Sequence, residues 1–155
     1  MEREAIGYIA GKEQASPLGF WVGVEEGALV RLDDLVVAVC QVPGVGEVRY
    51  YGMVDEVYQV HEMDAYVADT KLAVLGRIPS SLAYLAHVQV TRILPEEYLP
   101  PTPGTPVFRA RGEDLERALY YDTMENAHGP TRLPVGLLRN GEVAYLNADF
   151  LTGAK

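Results

Sequence analysis

Short runs of β-branched and aromatic residues recur along the chain, each bounded by glycine, proline or aspartate. They predict strands over Ile6 to Ala10, Phe20 to Val24, Leu35 to Cys40, Val48 to Val60, Val88 to Ile93, Val107 to Arg111 and Val143 to Leu146. In Phe20-Trp21-Val22-Gly23-Val24 the alternation puts Phe20, Val22 and Val24 on one face. Leu35 to Cys40 is apolar on both faces, which predicts a central strand. Asp33-Asp34 favours a turn before it, and Asn140-Gly141 between two apolar runs is a strong hairpin signal. Many short strands at this spacing predict a barrel or a sandwich.

Helical periodicity is scarce. Glu113-Asp114 place negative charge in a first turn, and Leu115, Ala118 and Leu119 follow at helical spacing, predicting a short amphipathic helix from about Glu113 to Tyr121. Ser80 to Ala86 fits a second turn of helix but is ambiguous in length and flanks. Tyr121 to Pro134 has no period and predicts an exposed loop. The proline-rich run Pro100 to Val107 leads through the acidic helix to Gly136 to Leu146, the expected last hairpin of a small barrel.

At 155 residues, 48% of them hydrophobic, the chain suits one domain with one core, spanning 1–155. A net charge of -9 with singly scattered basic residues gives no stripe to neutralise phosphates, which argues against tight direct binding of nucleic acid or anionic membrane. No apolar run approaches the roughly 20 residues that span a bilayer. Met1-Glu2-Arg3-Glu4 opens with charge and no apolar signal core follows, so a cytoplasmic location is expected. Cys40, the only cysteine, lies in an apolar run and should be a buried, inert thiol.

Catalytic chemistry finds little purchase. A phosphate loop of the form G-x-x-x-x-G-K-S/T is missing, and after Gly11-Lys12 the place of the magnesium-binding hydroxyl is taken by Glu13. His61-Glu62 with Asp64, His87 and His128 lack the paired spacings of zinc sites. His61 is expected to end a strand in a polar turn, and His87 to share a solvent face with Gln89 and Thr91, opposite Val88 and Val90. No G-x-S-x-G elbow occurs, and the carboxylate pairs Glu25-Glu26, Asp33-Asp34 and Glu96-Glu97 suit solvated turns. The expected catalytic, cofactor-binding and metal-binding sets are therefore empty.

The ten tyrosines are unusual and suit a protein interface, where a ring buries area while its hydroxyl stays paired. Tyr50-Tyr51 must point to opposite faces of a strand, which leaves one of them a place outside the barrel. Tyr120, Tyr121 and Met124, beside the expected loop, are candidate partner-docking residues; packing of the helix end onto the barrel mouth is the alternative reading.

Several segments together resemble the N-terminal barrel of the HerA family of hexameric ATPases, the HAS barrel, itself similar to the N-terminal barrel of ATP synthase subunits. They are Ile6-Gly7-Tyr8-Ile9, Phe20 to Val24, Leu32 to Val39, Tyr51-Gly52-Met53-Val54-Asp55-Glu56-Val57, Pro103 to Val107 with the helix at Leu115 to Leu119, and Gly136 to Leu146. The resemblance implies a mainly β fold, a small closed or partly open antiparallel barrel with one or two short helices. It also implies a non-catalytic N-terminal domain of a longer DNA-translocating ATPase, or helicase, that works with a NurA-type nuclease in DNA end processing and repair. The domain would support ring assembly and dock the nuclease, while ATP and magnesium would bind only in the ATPase core that follows it in the family. The competing expectation is a stand-alone barrel acting as an adaptor or binding a small ligand.

Overall fold

A computed structural model describes residues 3–11, 13–61 and 82–152. Ten strands occur among them, and six close into an antiparallel barrel. These six are β1 (Gly7–Ile9), β2 (Gly19–Val24), β3 (Leu35–Val42), β4 (Gly46–His61), β5 (Leu82–Leu94) and β6 (Pro106–Arg109). Their order around the barrel is β1-β2-β5-β4-β3-β6. The long strands β4 and β5 form the back wall, and the short β1 and β6 close the ring through Gly7 opposite Val107 and Tyr8 opposite Pro106.

Alternation explains which side chains fill the barrel. Phe20, Val22, Val36, Ala38, Cys40, Val48, Tyr50, Val54, Ala86 and Val88 are buried in one cluster, so the interior of this small barrel is a packed core. Trp21 falls between the two inward positions Phe20 and Val22 and faces outward, as the alternation predicts. Gly52 sits where β4 and β5 come close: a Cβ there would stand 2.6 Å from the Gln89 carbonyl oxygen, which is backbone and cannot swing away.

Strand β3 is buried on both faces for a reason its apolar run implies. Val36, Ala38 and Cys40 point into the barrel, while Leu35 and Val37 join a second cluster on the outer wall with Tyr51, Ala110, Leu115, Ala118 and Tyr121. Helix α1 (Glu113–Ala118) lies over that outer face and supplies the cover. Tyr50 and Tyr51 do point to opposite faces, yet both are fully buried, Tyr50 in the lumen and Tyr51 under α1, so neither lies exposed on the barrel.

Helix α1 ends before the expected Tyr121. Tyr120 adopts a left-handed conformation with φ 60°, which stops the helix, and a 3-10 turn over Tyr121–Thr123 follows. The expected loop from Tyr121 to Pro134 is also more ordered than its lack of period suggests. It contains that turn, a miniature hairpin of β7 (Glu125–Asn126) and β8 (Gly129–Pro130), and the start of β9 (Arg132–Leu137). Strand β9 pairs with β10 (Val143–Asn147), and α2 (Ala148–Thr152) ends the described chain. The Asn140-Gly141 hairpin thus forms, with Gly141 at φ 87°, but as a separate two-stranded sheet outside the closed barrel.

The ambiguous stretch from Ser80 to Ala86 resolves as strand from Leu82 onward, where β5 pairs with the far end of β4. Glu62 and Asp64 lie outside the described residues.

Candidate functional site

The terminal hairpin hangs from the barrel through a polar and aromatic joint. Tyr121, 5% exposed, meets Tyr145 edge to face with ring centroids 5.0 Å apart, and its hydroxyl accepts the Tyr145 amide N–H at 3.1 Å. Arg132 donates to the Tyr121 carbonyl oxygen at 3.2 Å and to Glu116 Oε1 at 3.0 Å, tying β9 back to α1. Thr131 donates its hydroxyl proton to Asn147 Oδ1 at 2.7 Å, and its carbonyl accepts the Ala148 N–H at 2.8 Å. Two strands alone are marginal in water, and these ties give the hairpin a fixed seat.

Away from the joint the hairpin is apolar and open to solvent. Leu133, Val135 and Leu137 on β9, Val143 and Leu146 on β10, and Phe150 and Leu151 on α2 are all exposed, Leu137 by 72% and Phe150 by 81%. Leu137 stands opposite Val143 and Leu133 opposite Leu146; Val143 shares a face of β10 with Tyr145 while Leu146 takes the other, so the apolar strip wraps both faces of the hairpin. Alternation along β10 turns Tyr145 in to Tyr121 and Leu146 outward, and a register shift opposite Ala144 and Tyr145 leaves Val135 of β9 as an extra residue. Exposed large apolar side chains concentrated on one small element mark a contact region. In the sequence Leu133, Val135 and Leu137 alternate with Pro134 and Gly136, but the bulge at Val135 keeps them from sharing one face.

The three candidate docking residues separate in the structure. Tyr121 is used within the domain, and Met124 is half-buried against the outer cluster. Tyr120 stays 44% exposed; its hydroxyl donates to the Thr91 carbonyl at 3.0 Å and its ring lies 4.6 Å from the Arg92 guanidinium. Helix-end packing thus accounts for Tyr121 and Met124, and Tyr120 alone of the three is exposed, against β5.

At the other end of α1, Asp114 collects charge from across the chain. Its carboxylate accepts from Arg3, from Arg49 at 3.2 Å and from the Tyr51 hydroxyl at 3.3 Å, with 8% of its side chain exposed. The Arg49 guanidinium is held above its usual pKa, first by its hydrogen bond to Glu47 at 2.7 Å. An open cavity of about 650 Å³ there is lined by arginines and carboxylates that largely pair with one another.

Cys40 is a buried free thiol, as its apolar run predicts. Burial pushes its pKa up, but hydrogen bonds with Thr102 and Thr105 more than offset this and leave it below the usual value. His87 lies on the outer face of β5, between the inward Ala86 and Val88, where the alternation puts it; it is only half-exposed and its Nδ1 stands 2.6 Å from Asp55 Oδ1. His128 is exposed in the turn between β7 and β8. No helix among the described residues is long and apolar enough to cross a membrane. No model of a known protein family matches the chain, and no curated protein matches it.

Proposed function

We propose that this chain is the non-catalytic barrel of a HerA-like hexameric DNA-translocating ATPase, supporting ring assembly and docking a NurA-type nuclease. The observation that carries the reading is the solvent-exposed apolar strip Leu133, Val135, Leu137, Val143, Leu146 and Phe150, spread over both faces of a hairpin and its following turn of helix that are tied beside a closed barrel. A protein neighbour would remove that strip from water, at about 25 cal/mol per Å² of apolar area covered. The net charge of -9 favours protein contacts for this domain and leaves DNA to another part of the machine. Tyr120 and the hairpin strip form the proposed contact set, with Tyr121 and Met124 as its supports. ATP and magnesium belong, in this reading, to an ATPase core beyond the barrel.

The small-ligand reading is weaker because the lumen is filled by Phe20, Tyr50 and their neighbours. It predicts a saturable thermal shift with a metabolite, which the assembly reading does not.

Two experiments test the proposal. The gene downstream of Lys155 should encode a strand and a phosphate loop of the G-x-x-x-x-G-K-S/T form. The barrel should also co-elute with a NurA-type nuclease on a sizing column, and Leu137→Asp combined with Phe150→Asp should abolish the complex. An ATPase lacking residues 1–155 that binds the nuclease as well as the intact protein overturns the docking role.

A further inference from the structure

We propose that the outer face of the barrel carries a site for a divalent transition-metal ion, formed by Asp55, Glu56 and His87. Neighbouring residues of a regular strand point to opposite faces, so Asp55 and Glu56 could not share a ligand. Here the β4–β5 register shifts between Val54 and Glu56: Val54 pairs with Val88, Glu56 pairs with His87, and Asp55 is the extra residue. Val54 is buried in the lumen while Asp55 and Glu56 are both exposed, so the bulge turns two consecutive carboxylates onto the outer wall opposite one imidazole.

One ligand atom from each of the three residues lies within 4.8 Å of the others. Donors bound at about 2.1 Å to a common ion stand roughly 3 to 4 Å apart, so small side-chain rotations complete the set. The imidazole is held for this role. Nδ1 faces Asp55 at 2.6 Å, and the Cε1–Nε2 edge lies over Gly19, where a Cβ would come within 3.0 Å of both atoms. Trp21 packs against the ring with centroids 5.0 Å apart and Tyr58 packs on Trp21, giving the site an aromatic wall. Two carboxylates and one imidazole suit zinc, cobalt, nickel or copper, whereas magnesium and calcium prefer oxygen alone. Three protein ligands leave at least one position open, as sites that bind an exchangeable ligand do. His87 lies more than a full strand length along the chain from the adjacent Asp55 and Glu56, and the bulge that aligns them leaves no spacing pattern for the sequence to display.

Trp21, the only tryptophan, is a built-in reporter. Nickel or copper(II) titrated into the metal-stripped full chain should quench its fluorescence saturably near one ion per chain, and magnesium should not. His87→Gln and Asp55→Asn should each weaken binding by about tenfold or more, while His128→Gln leaves it unchanged. Zinc binding followed by calorimetry checks the same affinities without relying on Trp21, and circular dichroism checks that each variant is folded. Linear quenching without saturation, or calorimetric affinities unchanged in His87→Gln and Asp55→Asn, overturns the site.

Discussion

Tyr121 and Tyr145 are joined twice, by an edge-to-face ring contact at 5.0 Å and by the Tyr145 N–H donated to the Tyr121 hydroxyl at 3.1 Å. This pair couples the turn after α1 to the hairpin, and through it the apolar strip to the barrel. Tyr121→Phe keeps the ring and loses the bond, so stability should fall by about 1 kcal/mol. Tyr121→Ala also empties a buried aromatic site and should cost about 3 kcal/mol. Denaturant unfolding measures both losses, and hydrogen exchange should show the Val143–Asn147 amides opening first in the alanine variant.

Asp114 pins two distant parts of the chain, the N-terminal segment through Arg3 and β4 through Arg49 and the Tyr51 hydroxyl, to the start of α1. Asp114→Asn preserves shape and removes the charge, leaving two guanidiniums facing a neutral amide. Loss of one member of a fully buried pair costs about 3 to 5 kcal/mol; with Arg3 and Arg49 still 41% and 31% exposed, about 2 kcal/mol is expected by urea titration. Glu113→Gln breaks the exposed pair with Arg117 and should change stability by less than about 0.5 kcal/mol.

The Tyr50 hydroxyl donates to the Leu99 carbonyl at 2.7 Å inside the barrel, and burial, followed by the nearby Cys40, raises its pKa above the ordinary 10.0. A group whose folded pKa is raised contributes stability that is complete below the unfolded pKa and is lost as pH rises through the folded value. Stability should therefore decline above pH 10.0. Cys40 has the opposite sign: its contribution is complete above 9.0 and falls away only at lower pH, so it does not add to the alkaline loss. Tyr50→Phe should cost about 1 kcal/mol at neutral pH and flatten the alkaline slope, as measured by unfolding between pH 8 and about pH 11.

Strand positions were legible where alternation coincides with burial, as at Phe20 and Val22, or where both faces are covered, as at Val36 and Val37. Short helix signals were legible too, but the stop at Tyr120 was not, because a left-handed tyrosine is set by its bonds to Thr91 and Arg92 rather than by local propensity. The early start of β5 reflects pairing with β4 overriding an alanine-containing stretch of weak preference. Strand β9 was hidden because Pro134 and Gly136 occupy the positions between its apolar residues. The candidate contact residues followed the same logic: Leu133, Val135 and Leu137 look like a plain alternation, but Val135 is the extra residue of a bulge that turns Leu133 and Leu137 to opposite faces.

The apolar strip should be a functional surface rather than a contributor to the fold. Leu137 and Val143 face one another across the hairpin and are 72% and 37% exposed, so replacing both with aspartate deletes little buried contact. Unfolding free energy of Leu137→Asp with Val143→Asp should stay within about 1 kcal/mol of the parent, each exposed change contributing about 0.5 kcal/mol at most. Like charges placed opposite each other across strands account for the direction of any loss. Association should respond far more strongly. Sedimentation velocity across a concentration series should show the parent chain self-associating and the double variant remaining monomeric, because each copy would then have to bury two carboxylates without partners. A variant that unfolds assigns the strip to the fold, and one that stays folded and associates as the parent does removes it from the interface.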